Sequence, residues 1–121
     1  MKKNKFSKNW IIKQKRDIYV KKSKLEGYRS RAVYKLQEIN NKFQIIKNNI
    51  LVIDLGAAPG SWSQYISRNF SNSKIISIDL KDIEPIKNLV HIKGDFTEDK
   101  QKKNIKKYFD KKVDLVVSDM A

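Results

Sequence analysis

The stretch that decides the fold is VIDLGAAPGSWSQYI, residues 52–66. An apolar run typical of a buried strand ends in Asp54, and the segment from Gly56 to Gly60 then carries almost no side chain. Glycine adopts backbone angles that other residues avoid, and small side chains leave the backbone accessible. A tight turn between a strand and a helix would need only one glycine. The pattern therefore favours a turn against which a ligand lies.

Apolar runs on both sides of this turn predict a parallel sheet. We predict strands at residues 50–55, 74–80, 89–93 and 113–118, and helices at residues 31–41, 61–70 and 97–109. A further helical segment, residues 9–26, ends at Gly27, and Ser30 is the predicted N-cap of the helix that follows. In the helix at residues 97–109, the apolar side chains of Ile105, Tyr108 and Phe109 are expected to face inward. Nearly continuous apolar strands that alternate with helices indicate an α/β fold with helices on both faces of the sheet.

The fourth predicted strand lies at the end of the chain, which stops at Ala121. A doubly wound sheet rarely finishes there, because that strand would be left bare at an edge. We therefore expect this sequence to be the front part of a larger domain, with the first four strands of its sheet.

The composition excludes several classes of protein. There is no cysteine and one histidine, so neither a disulfide framework nor a Cys- or His-based metal site is expected. No apolar run is long enough to span a membrane, and the N-terminus lacks the features of a secretory signal. We expect a cytoplasmic monomer that binds no metal and no membrane.

The charge is concentrated in the first part of the chain. Residues 1–50 carry 15 Lys/Arg and 3 Asp/Glu, whereas residues 51–121 carry 12 and 10. Genomic drift towards lysine would spread lysine along the whole chain and would not remove acids from one part. We therefore divide the chain into a basic helical N-terminal region, residues 1–49, that binds RNA, and the first part of a ligand-binding α/β domain, residues 50–121.

The turn fits a nucleoside ligand better than a dinucleotide. The dinucleotide fingerprint needs glycine at three spaced positions, and here Ala58 and Ser61 occupy two of them. Asp79 closes the second strand, where a carboxylate can accept hydrogen bonds from both ribose hydroxyls, and Asp95 follows the third strand, where it could accept from an adenine amino group. A single acid at a strand end is usually a cap or a solvated loop residue. Four acids that recur in step with the four predicted strands are better evidence for a binding site: Asp54, Asp79, Asp95 and Asp119.

In four motifs the sequence resembles a known family. The motif DLGAAPGSWSQY, preceded by SRAVYKLQEI and followed by GDF and VVSDMA, is similar to the FtsJ/RrmJ family of ribosomal RNA large-subunit methyltransferases. The resemblance covers nearly the whole chain, and one departure is Ser61, where the family usually has a second glycine. It implies a Rossmann-like fold, S-adenosyl-L-methionine as cofactor, and methylation of a ribose 2′-hydroxyl, that of a uridine, in large-subunit ribosomal RNA or the 50S particle.

The resemblance also implies roles for individual residues. Gly60 and Trp62 would line the cofactor site, with Asp79 on the ribose and Asp95 on the adenine. Asp119 would lie at the methionine end of the cofactor and at the reacting centre. Lys35 and Asp119 would both be catalytic residues. The family's principal catalytic lysine and a glutamate lie further along and have no counterpart in this sequence.

Other interpretations remain open from the residues alone. Without the resemblance, Lys35 reads as a surface lysine paired with Glu38 three residues away. A catalytically incomplete fragment that binds RNA or the cofactor would keep the basic region and the turn. A nicotinamide-dependent dehydrogenase is a third possibility, and the missing glycines weaken it.

Overall fold

The structure, a computed structural model, describes residues 5–119, with side chains from Ser7 onward. In chain order the elements are α1 (Lys5–Glu26), α2 (Val33–Phe43), β1 (Leu51–Leu55), α3 (Ser61–Asn69), β2 (Lys74–Asp79), β3 (Leu89–Lys93), α4 (Lys100–Tyr108) and β4 (Leu115–Ser118). All strand pairs are parallel, and the order across the sheet is β3-β2-β1-β4. The predicted α/β fold with four parallel strands is confirmed.

The sheet has helices on both faces because its strands are apolar on both faces. Val52 and Ile75 pack into one core cluster with Trp62 and Ile66 of α3. Their neighbours along the strands, such as Ile53 and Ile76, belong to a second cluster, against which Ile105 and Phe109 at the end of α4 pack. Successive side chains of a strand point to opposite faces, so two separate cores follow directly from continuous apolar runs.

Helix α2 belongs to the first core. Its residues Val33 and Leu36 are almost completely buried, in the same cluster as the strands and α3. The core therefore crosses the predicted division at residues 49 and 50, and the two-region description stays a prediction about function.

Three local predictions are wrong. Ser30 does not cap α2, whose N-cap residue is Ala32, because the Ser30 hydroxyl is hydrogen-bonded to the Ser61 hydroxyl at 2.8 Å. Tyr108 does not face inward but is 53% exposed. The helix that contains it begins at Lys100 rather than at residue 97, because Asp95 and Thr97 form a hydrogen-bonded turn before it.

Helix α1 contacts the rest of the fold near its C-terminal end. There the Tyr19 ring stacks on Tyr34 with centroids 5.4 Å apart. The helix ends at Glu26, and Gly27 follows it with a φ of +75°, the left-handed conformation typical of a glycine that stops a helix. Earlier along the helix, Trp10 and Ile12 are more than half exposed. Among the described residues, no helix is long and apolar enough to cross a membrane.

Candidate functional site

The bare segment after β1 forms one wall of a small cavity. Gly56 has a φ of +64°, its N–H donates to the carbonyl of Ile78 at 2.8 Å, and the Ala58–Pro59 peptide is cis. The cavity has a volume of about 110 Å³ and is lined by residues of the turn and by five others from its surroundings: Gly56, Ala57, Ala58, Pro59 and Ser61, with Ser30, Ala32, Asp54, Trp62 and Asp119. Pockets that bind drug-sized ligands have volumes of about 300–1,000 Å³. This cavity is smaller, so it could hold only one end of a ligand the size of a nucleoside cofactor.

Two of the predicted site residues line this cavity, namely Trp62 and Asp119. The indole N–H of Trp62 donates to the carbonyl of Ala32 at 2.7 Å. Together with the hydrogen bond between Ser30 and Ser61, this contact holds the segment before α2 against the start of α3. These two hydrogen bonds place α2, and with it Lys35, beside the cavity.

Asp79 lies at the end of β2, bonded to the turn. Its Oδ2 accepts a hydrogen bond from the N–H of Ala58 and its Oδ1 accepts one from the N–H of Lys81, both at 2.9 Å. A carboxylate has about four acceptor positions, so two remain for a ligand. The contact with Ala58 fixes this carboxylate next to the turn, where a ribose bound there would meet it.

Gly60 and Asp95 do not line the small cavity. Gly60 has a φ of +109° and lies beneath the guanidinium of Arg29. Asp95 follows β3, and its Oδ1 accepts hydrogen bonds from the N–H and hydroxyl of Thr97. These bonds lower the pKa of the Asp95 carboxyl below its usual value because they favour the charged form. The roles of both residues in cofactor binding stay predictions.

Asp54 also belongs to the site, although no specific role could be predicted for it from the sequence. Its side chain is in the floor of the cavity and the residue is only 2% exposed. Burial raises its pKa to about 6, and the negative charges of Asp119 and Asp79 add to the effect, while the Ser63 hydroxyl donates to Oδ2 at 2.7 Å and opposes it. A buried carboxyl with two acidic neighbours favours a cation in the cavity.

Lys35 meets Asp119 at the edge of the cavity. The Nζ atom of Lys35 donates to Oδ1 of Asp119 at 2.8 Å, although 84 residues separate the two in sequence. The pairing of Lys35 with Glu38, the alternative left open above, is therefore not the ion pair that forms.

A larger cleft of about 470 Å³ is lined by both members of this ion pair. Its lining consists of residues from α1, from α2 and from the segment between them, with Asp119: Tyr19, Ser30, Arg31, Ala32, Tyr34, Lys35, Glu38 and Asp119. Ser30, Ala32 and Asp119 also line the small cavity, so the two spaces share a wall. A ligand in the cavity and a second molecule in the cleft would meet at Lys35 and Asp119.

The sequence matches one protein family over most of its length. The profile described as "FtsJ-like methyltransferase" matches residues 28–121. The chain belongs to this family. The match includes the turn, Lys35 and Asp119, so the resemblance stated from the motifs is confirmed.

Curated relatives agree with the family assignment. The chain is 62% identical over its whole length to Ribosomal RNA large subunit methyltransferase E of Pelagibacter ubique, of which it covers 60%. It is 49% identical, over 95% of its length, to the protein of the same name from Rickettsia felis, of which it covers 53%. The chain thus spans little more than half the length of these relatives.

A solved structure shows the same fold. The crystal structure of a ribosomal RNA methyltransferase from Plasmodium falciparum aligns with a TM-score of 0.72 and 41% sequence identity, over 78% of this chain and 57% of that one. The Rossmann-like methyltransferase fold of the family is therefore present here.

Proposed function

We propose that the protein transfers a methyl group from S-adenosyl-L-methionine to the 2′-hydroxyl of a uridine ribose in large-subunit ribosomal RNA. The observation that carries the proposal is the ion pair of Lys35 and Asp119 at 2.8 Å, on the wall between a small acidic cavity and a larger open cleft. A methyl transfer needs the cofactor and the acceptor in adjoining sites, so that their reacting atoms come into contact. The names of the relatives support ribosomal RNA as the class of acceptor.

The residues of the small cavity fit the methionine end of this cofactor. The backbone of the turn is bare, and the carboxyls of Asp54 and Asp119 both line the cavity, which suits a positively charged sulfur. We assign the ribose to Asp79 and the adenine to Asp95. Trp62 would provide apolar surface, and the backbone at Gly60, the last residue of the turn, would line the cofactor site.

Lys35 and Asp119 would position the acceptor. When bound, the cofactor would supply a methyl group on a cationic sulfur, with the S–CH₃ bond breaking as the O–CH₃ bond forms. Lys35 donates one N–H to Asp119, so its two other N–H donors can hold the ribose oxygen in line. Asp119 Oδ2, the oxygen that Lys35 does not engage, can take the hydroxyl proton.

RNA would reach this centre across α1 and the cleft beside it. The basic residues of the N-terminal region neutralise phosphates, which gives affinity with little sequence information. Arg31 and Tyr19 line the cleft, and Trp10 is exposed on α1, so these side chains are placed to contact RNA. Lys2 and Lys3, which belong to the same basic region, lie outside the described residues.

We further propose that residues 1–49 form the RNA-binding part and residues 50–121 the first part of the cofactor-binding part. The protein would act as a monomer in the cytoplasm, on ribosomal RNA or on the 50S particle. The alternative is a protein that binds RNA or the cofactor without catalysis.

The test is methyl transfer to large-subunit RNA and to large subunits, using labelled cofactor and analysis of the ribose-methylated nucleoside. We expect Lys35→Ala to lower the rate about a hundredfold, since it removes the group that orients the oxygen, while cofactor affinity is kept. Lys42→Ala is the matched control, because Lys42 is on the same helix and does not line the cleft. It should stay within about twofold of the parent protein on the same scale.

Two results would count against the proposal. If the protein at its natural length labels neither free RNA nor large subunits, it is a binding protein rather than an enzyme. A normal rate in Lys35→Ala would return Lys35 to the role of a surface lysine.

A further inference from the structure

We infer that Arg29 is a positioning residue of the cofactor site, an inference that rests on the function proposed above. Its guanidinium donates to three backbone carbonyls on two loops: Nη1 to Pro59 at 3.0 Å and to Glu84 at 2.9 Å, and Nη2 to Pro85 at 3.2 Å. Pro59 belongs to the turn after β1, and Glu84 and Pro85 belong to the loop after β2. One side chain therefore ties together the loops that follow two neighbouring strands.

The chemistry of arginine suits this task. Its donors form a rigid planar fork, which can serve several acceptors at fixed angles, whereas a lysine ammonium is a point charge on a flexible stem. Among the described residues Arg29 has no carboxylate partner, so its hydrogen bonds go to the carbonyls. The base of the side chain is also fixed, since the N–H of Arg29 donates to Oε1 of Gln64 in α3 at 2.8 Å.

Gly60 makes the close approach of Arg29 possible. A Cβ atom at residue 60 would lie 3.0 Å from Nη1 of Arg29 and 3.2 Å from Cδ1 of Ile86. The glycine thus leaves room for the guanidinium between the two loops. This contact explains why residue 60 is small although it does not line the cavity.

The two loops that Arg29 joins are also the ones that hold Asp79. The Asp79 carboxylate accepts a hydrogen bond from the N–H of Ala58 in the first loop and one from the N–H of Lys81 in the second. If the loops separate, these two N–H groups separate, and the carboxylate loses its fixed orientation. Arg29 would therefore act on the cofactor through Asp79 and through the width of the space between the loops, without touching the reacting atoms.

Arg68 provides a matched comparison. Its guanidinium donates to the carbonyls of Glu26 and Gly27 at 2.9 and 2.8 Å and lies over the Tyr28 ring. It bridges segments about as distant in sequence as those joined by Arg29. However, its hydrogen bonds hold the end of α1, and among the described residues none of them goes to either loop of the proposed cofactor site.

The test is calorimetric binding of S-adenosylhomocysteine to the protein at its natural length and to its Arg29→Lys, Arg29→Ala, Arg68→Lys and Arg68→Ala variants. We expect Arg29→Ala to weaken binding tenfold or more, and Arg29→Lys to weaken it several-fold, because one ammonium group cannot serve three carbonyls. Both Arg68 variants should bind within twofold of the parent protein. In turnover, Arg29→Lys should raise KM for the methyl donor and leave kcat and KM for RNA unchanged.

The outcomes separate this inference from the proposed function. If the parent protein does not bind S-adenosylhomocysteine, the proposed function fails and the inference fails with it. If the parent protein binds and Arg29→Lys binds equally well, only the assignment of Arg29 is overturned. Equal weakening by the Arg29 and Arg68 variants would also overturn it, because the effect would then be general loss of structure.

Discussion

At the scale of single residues, Asp54 has the most unusual environment in the site. It is a carboxyl almost completely removed from water, with one hydroxyl donor, from Ser63, and two acids close enough to raise its pKa. A structural role alone would be served equally well by a neutral residue. Burying a charged carboxyl costs free energy, and a cationic ligand in the cavity would offset that cost.

This burial predicts how stability depends on pH. The pKa of Asp54 rises from 3.8 to about 6 on folding, so between these values the folded state keeps a proton that the unfolded state has lost. Stability should therefore fall as pH rises from about 4 to about 6. At pH 7 Asp54→Asn should be more stable than the parent protein by up to about 3 kcal/mol, and below pH 4 by nothing.

Chemical denaturation of the ligand-free protein from pH 4 to 7 measures this difference. Asp82→Asn is the control, since the Asp82 side chain is 79% exposed. The same pH dependence in Asp54→Asn and in the parent protein would show that Asp54 is not the group responsible.

At the scale of elements, α1 and α4 are both rich in lysine, but of the two only α1 lines the cleft and carries several exposed aromatic and aliphatic side chains along its length. Trp10, Ile12 and Ile18 are more than half exposed, and Tyr19 lines the cleft. Such a surface combines phosphate contacts with groups that stack on bases. Helix α4 lies on the face of the sheet opposite to α2 and α3, with Ile105 packed against the second core.

This difference predicts which helix binds RNA. Changing three exposed lysines of α1 to Gln (Lys13, Lys15 and Lys21) should weaken RNA binding and reduce the slope of log affinity against log salt by about 2–3. The same change at three exposed lysines of α4 (Lys103, Lys106 and Lys107) removes equal charge and should have little effect. Filter binding over a range of salt concentrations distinguishes them, and equal losses would assign RNA binding to net charge alone.

The elements also show what could be predicted from sequence. Each strand lies within two residues of its predicted bounds, because a continuous apolar run is a local signal. The predicted start of α2 was wrong because the hydroxyl of Ser30 is hydrogen-bonded to the hydroxyl of Ser61, 31 residues away. No local pattern reveals such a partner.

The same distinction applies to the site. Trp62, Asp79 and Asp119 stand in or beside the turn where the motifs placed them, because the ends of parallel strands meet at one edge. Arg29 could not be singled out from the sequence, because its three acceptors are backbone carbonyls, which leave no sequence signal.

At the scale of the whole molecule, cofactor binding should stabilise the fold as a unit. The proposed ligand would contact the ends of β1, β2, β3 and β4, which lie side by side in one sheet. A ligand that binds only the folded state stabilises it by about 2.7 kcal/mol at a concentration of 100 Kd. We therefore expect S-adenosylhomocysteine to raise Tm by several degrees and NAD to leave it unchanged. The reverse order in a thermal shift assay would revive the dehydrogenase interpretation.

The ion pair of Lys35 and Asp119 also bears on how the protein is made. The pair joins α2 to the residue just after β4, and β4 completes the described sheet by pairing with β1. During synthesis, Lys35 and the glycine turn leave the ribosome well before Asp119 does, and folding generally begins with the N-terminal part. A nascent chain stopped before β4 would carry the turn and the lysine without Asp119, so the proposed reacting centre would be assembled only after most of the proposed cofactor site has been synthesised.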